Sequence, residues 1–347
     1  MMKPFAVYRF PDEKSYHVVS LPVAPRILAS MAEINESEGF VIAPFAPSDD
    51  SPILLLGSKK AEGGDFSMND EEGLSLLPDE SDTTDFKSRV TEEREAYRQD
   101  FLRFQQELGN GMFGKLVLAR SFVEMKTGRL SPREIFVRAC HCYPHQYIAL
   151  FYTPQTGMWL MASPEILLEG RQGRYRTMAL AGTMPYREGS LDWSEKNREE
   201  QKWVADYVRE RLQPIADRIE EQGPYTVQAA GLAHLRTDFR FCLNDNIHLG
   251  HFLDTFHPTP AVCGMPKEAA RKFILAHEHT RRRYYSGFTG PVSKDGSCRL
   301  YVTLRCMQMG RCSYRLFAGG GLLKESTEDN EWKETEAKLQ TMRRLLL

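Results

Sequence analysis

The chain has 347 residues, 41% of them hydrophobic, and a formal net charge of -2. That is enough apolar material for a large core, in one big domain or two coupled halves, and it gives no bulk electrostatic reason to bind nucleic acid or an anionic membrane. Seven cysteines without a repeated spacing do not make a secreted disulfide framework, and no apolar run approaches the ~20 residues of a membrane helix, so a cytoplasmic protein is expected.

Residues 1–57 read as short strands, Phe5 to Phe10, Tyr16 to Leu21, Gly39 to Pro44 and Ile53 to Leu56, separated by Pro, Asp and Ser. From Ser58 to Asp85 the sequence turns acidic and rich in Gly and Ser, the composition of an exposed connection. Tyr97, Phe101, Phe104 and Leu108 then recur at helical spacing, ending before Gly109-Asn110-Gly111. The strand that follows, from Gly114 to Arg120, is apolar on both faces and therefore predicted to be buried. Lys115 at its start has two readings: it snorkels out at the strand end, the commoner fate, or it serves a site where desolvation makes it a usable base. Cys140-His141-Cys142 with His145 lacks the second ligand pair of a zinc site. Tyr147 to Tyr152 and Met158 to Ala162 read as paired strands, leading to Ser163-Pro164-Glu165. Glu165 is either a turn residue or a carboxyl with the raised pKa of a proton donor. The strand beginning at Arg176 ends in a glycine turn that presents Gly182 and Thr183.

The helix from Ser194 to Leu212 buries Val204, Tyr207, Val208 and Leu212, and one turn back from Val204 lies Glu200, in line with the apolar face. A carboxylate there is paired, protonated or metal-bound, unless it merely caps the exposed first turns. Gly223-Pro224 reads as a turn. His257-Pro-Thr-Pro260 is a stiff path that either positions a side chain or is plain architecture, and Pro266 starts a helix running toward Arg283. Arg305 rides on an apolar strand, Leu300 to Cys306, as a fork suited to a carboxylate or as a surface residue. Near the end, a strand through Leu316 and Ala318 runs into a glycine corner, Gly319, Gly320 and Gly321, without the spacing of a dinucleotide fingerprint. In the last helix Glu331, Glu334 and Lys338 share one arc with Met342 and Leu345, so this charged stripe is either partly turned inward or a solvated face with a Glu334–Lys338 ion pair.

Nine segments in order resemble the chorismate-utilising enzymes: Lys115-Leu-Val-Leu-Ala-Arg, Ser163-Pro-Glu, Leu180-Ala-Gly-Thr, Glu195-Lys-Asn-Arg-Glu-Glu200, His257-Pro-Thr-Pro-Ala-Val, Tyr285-Ser-Gly, Leu304-Arg-Cys, Ala318-Gly-Gly-Gly and Glu331-Trp-Lys-Glu-Thr-Glu-Ala-Lys338. The resemblance spans Tyr97 to Met342. It implies an α/β (α+β) fold of two packed antiparallel β-sheets flanked by helices, in a single large domain. The variable N-terminal strands and acidic loop, residues 1–90, belong to that domain, and residues 91–347 form the chorismate-binding catalytic region.

The resemblance further implies a Mg²⁺ ion on Glu200, Glu331 and Glu334, a hard cation that accepts a substrate carboxylate. Arg305, Lys338 and the glycine corner would receive the remaining charges of chorismate, with Gly182, Thr183 and His257 around it. A lysine at position 115 is similar to members that activate water, so Lys115 is expected as base and Glu165 as acid, the first neutral and the second protonated. The implied activity is that of an isochorismate synthase, an isomerase adding water at C2 and losing the C4 hydroxyl, for menaquinone or siderophore biosynthesis, without an obligatory amidotransferase subunit. A salicylate synthase, which goes on to eliminate pyruvate, and a catalytically silent chorismate-binding subunit remain the alternatives. Two positions depart from the family pattern around Glu200: Asn197 stands where Asp is common, and Gln201 where His is. Gly320 also replaces the usual central residue of the glycine run.

Overall fold

The computed structural model describes residues 3–20, 24–57, 60–62, 86–128, 130–186, 192–229 and 231–347. The acidic stretch predicted between Ser58 and Asp85 lies, apart from Lys60–Glu62, outside the described residues. Two nine-stranded sheets form the centre, and every strand pairing in them is antiparallel. The first sheet runs in the order Gly264–Met265, Lys115–Met125, Ser313–Leu322, Cys306–Met309, Gly157–Ser163, Tyr147–Thr153, Phe5–Arg9, His17–Ser20, Lys60–Glu62. The second runs Ala216–Ala229, Leu232–Leu243, Arg174–Pro185, Ile166–Arg171, Cys298–Val302, Phe288–Val292, Gly39–Ala43, Ile53–Gly57, Arg26–Leu28.

Strand alternation divides the apolar residues between two sides of each sheet. Ala6, Tyr8, Phe40, Ile42, Trp159, Tyr301 and Phe317 face inward and form one cluster between the sheets. On the outer side of the first sheet, Ile135, Phe136, Leu339 and Met342 bring helices Pro132–Cys142 and Glu328–Arg343 against the strands. Helices Glu195–Leu212 and Leu249–Phe256 cover the second sheet through Val204, Tyr207, Val208, Phe252 and Phe256. Tyr97, Phe101, Phe104 and Leu108, the predicted stripe, seat the helix Phe86–Gly109 beside Leu116 and Leu118. The result is a helix–sheet–sheet–helix stack.

Besides the glycine run, which lies inside the strand Ser313–Leu322, three elements differ from the sequence reading. Gly223-Pro224 is no turn: it sits inside the edge strand Ala216–Ala229, where a register shift between Gln222 and Tyr225 accommodates a proline without an N–H to donate. The helix opening at Lys267 stops at His277, short of Arg283. The apolar run from Leu300 to Cys306 is two strands, one in each sheet, and Arg305 occupies the crossing between them with φ +46°.

Candidate active site

Lys115 is fully buried. The snorkelling fate is thus corrected: its strand is flanked by the glycine strand on one edge and by Gly264–Met265 on the other, which leaves no route to solvent at this end. The ammonium turns instead to Glu200, with Nζ 3.0 Å from Oε1, an ionic contact without the alignment of a full hydrogen bond.

Glu200 arrives from the helix Glu195–Leu212. Ser194 caps that helix by accepting from the Asn197 N–H, and its buried stripe begins with Asn197, Glu200 and Gln201 before turning apolar. The polar first turns therefore point at the cavity while the apolar later turns anchor the helix. Gln201 fixes the docking. Its Oε1 accepts from Ala181 N at 2.9 Å, and its Nε2 donates to Ala179 O and Thr237 Oγ1, both at 3.1 Å. Gly182, at φ +67°, donates to Glu200 Oε2 at 3.3 Å, and its missing side chain lets Asn197 approach. Although burial opposes ionisation, Lys115, Lys196 and Lys338 together hold the Glu200 carboxyl below its usual range.

The glycine run is not a corner after a strand; Gly319, Gly320 and Gly321 lie inside the strand Ser313–Leu322, opposite Ala119, Leu118 and Val117. Their contribution is space. A Cβ on Gly319 would stand 2.8 Å from the Tyr285 hydroxyl, and one on Gly321 would stand 2.0 Å from Glu200 Oε1. Gly320 faces the other way, toward the last helix, where a Cβ would meet Glu331 Oε2 at 3.1 Å and Glu334 Oε1 at 3.7 Å. Gly320 accordingly does not line the cavity, whereas Gly319 and Gly321 do.

Each of the three carboxylates expected around a metal is held by its own lysine. Lys115 serves Glu200, Lys196 reaches Glu331 at 2.5 Å and Lys338 reaches Glu334 at 2.6 Å. Among the described residues no three His, Cys, Asp or Glu side chains stand in a ready ligating cluster. The three acids nonetheless act on common ground: burial pulls the Lys196 ammonium down, but Glu331, Glu200 and Glu334 jointly outweigh it and raise its pKa. Burial and the neighbouring Glu334 push the Glu331 carboxyl up to about 7, and its Oε2 is buried without a hydrogen-bond partner. An all-carboxylate oxygen set with an orphaned buried oxygen fits a hard divalent cation such as Mg²⁺.

The cavity is lined by Glu165, Gly182, Thr183, Glu200, His234 and Arg305 together with Val262, Tyr285, Phe317 and Lys338. Burial raises the Glu165 carboxyl to about 8 against the opposing pull of Lys115, Arg305 and Lys338, so it is protonated at neutral pH. Arg305 donates through Nη2 to His234 Nε2 at 3.0 Å, leaving its buried Nη1 without a partner. His234 donates from Nδ1 to Gly182 O at 2.9 Å, which fixes the tautomer; burial, then Arg305 and Lys338, hold the imidazole well below its ordinary pKa, and it is neutral. Lys338 also donates to Gly319 O at 2.8 Å.

His257 is the member of the expected set that the fold places elsewhere. Its Nε2 bonds the Pro44 carbonyl at 2.8 Å and its ring packs edge-on to Phe288, while Ala261 and Val262 of the same loop reach the cavity. The stiff loop is architecture at that residue. His234 and Lys196 were not singled out from the sequence. Lys196, one turn before Glu200, carried a signal in its charge pairing, whereas His234 is a lone polar residue in an apolar strand.

Residues 67–347 match the family model described as chorismate binding enzyme. The chain belongs to that family. The isochorismate synthase of salicylate biosynthesis from Pseudomonas aeruginosa is 33% identical over 249 residues, covering 68% of this chain and 51% of that protein. Isochorismate synthase EntC of Escherichia coli is 32% identical over 196 residues, 54% of this chain and 50% of the relative. The chain thus spans about half the length of these two curated relatives. Among solved structures, the menaquinone-specific isochorismate synthase MenF of Escherichia coli superposes with a TM-score of 0.80 at 22% identity, covering 99% of this chain and 89% of that one. Anthranilate synthase component I from Streptococcus pneumoniae gives 0.69 at 17% identity, covering 99% and 90%. The fold is shared with both.

Proposed function

We propose that the chain is a cytoplasmic, Mg²⁺-dependent isochorismate synthase, an isomerase of chorismate serving menaquinone or siderophore biosynthesis. The observation that carries this reading is the pairing of opposites beside one cavity, which Glu165 and Glu200 line. Glu165 is a buried carboxyl kept protonated, and Lys115 is a buried amine at the wall behind Glu200, close enough for its charge to pull on Glu165. In its neutral form Lys115 takes a proton from water as the oxygen bonds to C2; the diene shifts, the C4–O bond breaks and Glu165 gives its proton to the departing hydroxyl, which leaves as water. Atoms balance to a net isomerisation, and each group resets by exchanging one proton with solvent.

Glu200, Glu331 and Glu334 would hold the Mg²⁺, which when bound supplies a Lewis acid that grips the ring carboxylate and draws electron density from the diene. The free Nη1 of Arg305 and the ammonium of Lys338 supply fixed positive partners for an anionic substrate, and Gly182 and Thr183 line the same cavity. Water as nucleophile needs no ammonia-supplying subunit. All seven cysteines are free, which agrees with a reducing compartment.

Incubation with chorismate and Mg²⁺, followed by chromatographic identification of products, tests the proposal. Isochorismate as the sole product supports it. Salicylate and pyruvate formed without a second enzyme would replace it with a salicylate synthase, and no turnover with intact binding would leave a silent subunit.

A further inference from the structure

Beside the strand that carries Lys115, at Val117 and Ala119, lies a second ionic group, the buried pair Glu278 and Arg282, whose side chains are 2% and 3% exposed. Arg282 Nε and Nη2 donate to the two oxygens of Glu278 at 2.6 and 2.7 Å. The rest of the pair bonds only backbone. Nη1 donates to Val262 O at 2.7 Å, Nη2 to Val117 O at 2.8 Å, and Glu278 Oε1 accepts from Ala119 N at 2.7 Å. The guanidinium lies 4.3 Å from the Phe45 ring centre.

The pattern of those bonds follows from strand geometry. Lys115 and Leu116 are paired with Gly264–Met265, and Val117 N still donates to Cys263 O at 2.7 Å, but there the partner strand ends. In an antiparallel ladder alternate residues turn both N–H and C=O to the same edge, so the next groups needing partners there are Val117 O and Ala119 N. Arg282 supplies the donor and Glu278 the acceptor, as the peptide of a neighbouring strand would. The same guanidinium holds Val262, and Tyr285, whose N–H bonds Arg282 O at 2.9 Å, follows three residues later; Val117, Val262 and Tyr285 all line the cavity.

We propose that Glu278 and Arg282 are positioning residues that extend the sheet edge past its last strand partner and thereby set the place of Lys115 behind Glu200. An ion pair so deeply buried adds little stability over apolar side chains of equal size, whereas its bonds tie two backbone segments, the strand at Val117 and Ala119 and the loop at Val262, in one geometry. This inference rests on the reading of Lys115 as the base.

Arg282→Lys keeps the charge opposite Glu278 but cannot bond both carbonyls; Glu278→Gln loses the charge and turns one of the two acceptor oxygens into a donor, so it cannot serve both the Arg282 fork and Ala119 N. For a base displaced by about 1 Å, kcat is expected to fall on the order of 100-fold while KM for chorismate stays near wild type. Amide hydrogen exchange at Ala119 should quicken while the strands Tyr147–Thr153 and Gly157–Ser163 keep their protection. If Arg282→Lys does not fold, Glu278→Gln gives the same two readouts. Folded variants with wild-type kcat, or with Ala119 exchange unchanged, would overturn the proposal. Should the wild type itself fail to convert chorismate, the proposed activity falls, and the exchange at Ala119 alone then decides whether the pair supports the strand.

Discussion

Replacing Glu165 by Gln should abolish turnover and at the same time make the protein more stable. The folded carboxyl titrates near 8 against an ordinary 4.5, because burial disfavours its charge more than Lys115, Arg305 and Lys338 favour it. The folded state therefore binds one more proton than the unfolded chain between these values, and stability declines as pH rises through that window. At about 1.4 kcal/mol per pH unit, roughly 3 kcal/mol has been lost by pH 7, and the loss levels off above pH 8. A glutamine has no charge to suppress. Urea denaturation of both proteins at pH 4.5, 7 and 8.5 should show a gain near zero at the lowest pH, growing to about 3 kcal/mol at pH 7 and to about 4.5 kcal/mol at 8.5. An equal gain at all three pH values, or a less stable variant at pH 8.5, would refute the assignment of Glu165 as a buried neutral acid. Retained turnover would refute its role as proton donor.

Lys115→Ala should eliminate water addition while calorimetry still registers chorismate binding, and unchanged turnover would exclude it as the base. Gly321→Ala places a methyl 2.0 Å from Glu200 Oε1 and 2.9 Å from Lys115 Cε, so a fall in kcat on the order of 100-fold is expected, with wild-type kinetics counting against the packing argument. Glu200→Ala should turn the Mg²⁺ titration weak or unsaturable; a titration like that of the wild type would rule out ligation.

Much of the site was legible because helix periodicity places residues without any tertiary knowledge. Glu200 in line with Val204, and Glu331 in line with Met342, made an inward carboxylate one of two open readings at each position, and both side chains are buried. What periodicity could not reveal is where a strand stops. The apolar run through Leu304 shows no break, although the chain changes sheets there and Arg305 takes a positive φ. Three consecutive glycines carry no alternation, so a strand close-packed on both faces looked like a corner. The fate of Lys115 depended on residues more than 80 positions away in sequence. A one-dimensional pattern identifies the charge but not its counterion.

The sheet order carries a consequence for biosynthesis. Phe5–Arg9 waits for Tyr147–Thr153, and Gly39–Ala43 waits for Phe288–Val292 before either gains its second neighbour. Contacts of such long sequence separation form slowly, and the nascent chain leaves the ribosome with bare strand edges for most of its synthesis. Yield in the cell should thus depend on chaperones shielding these strand edges, the first until Tyr147–Thr153 and the second until Phe288–Val292 has emerged.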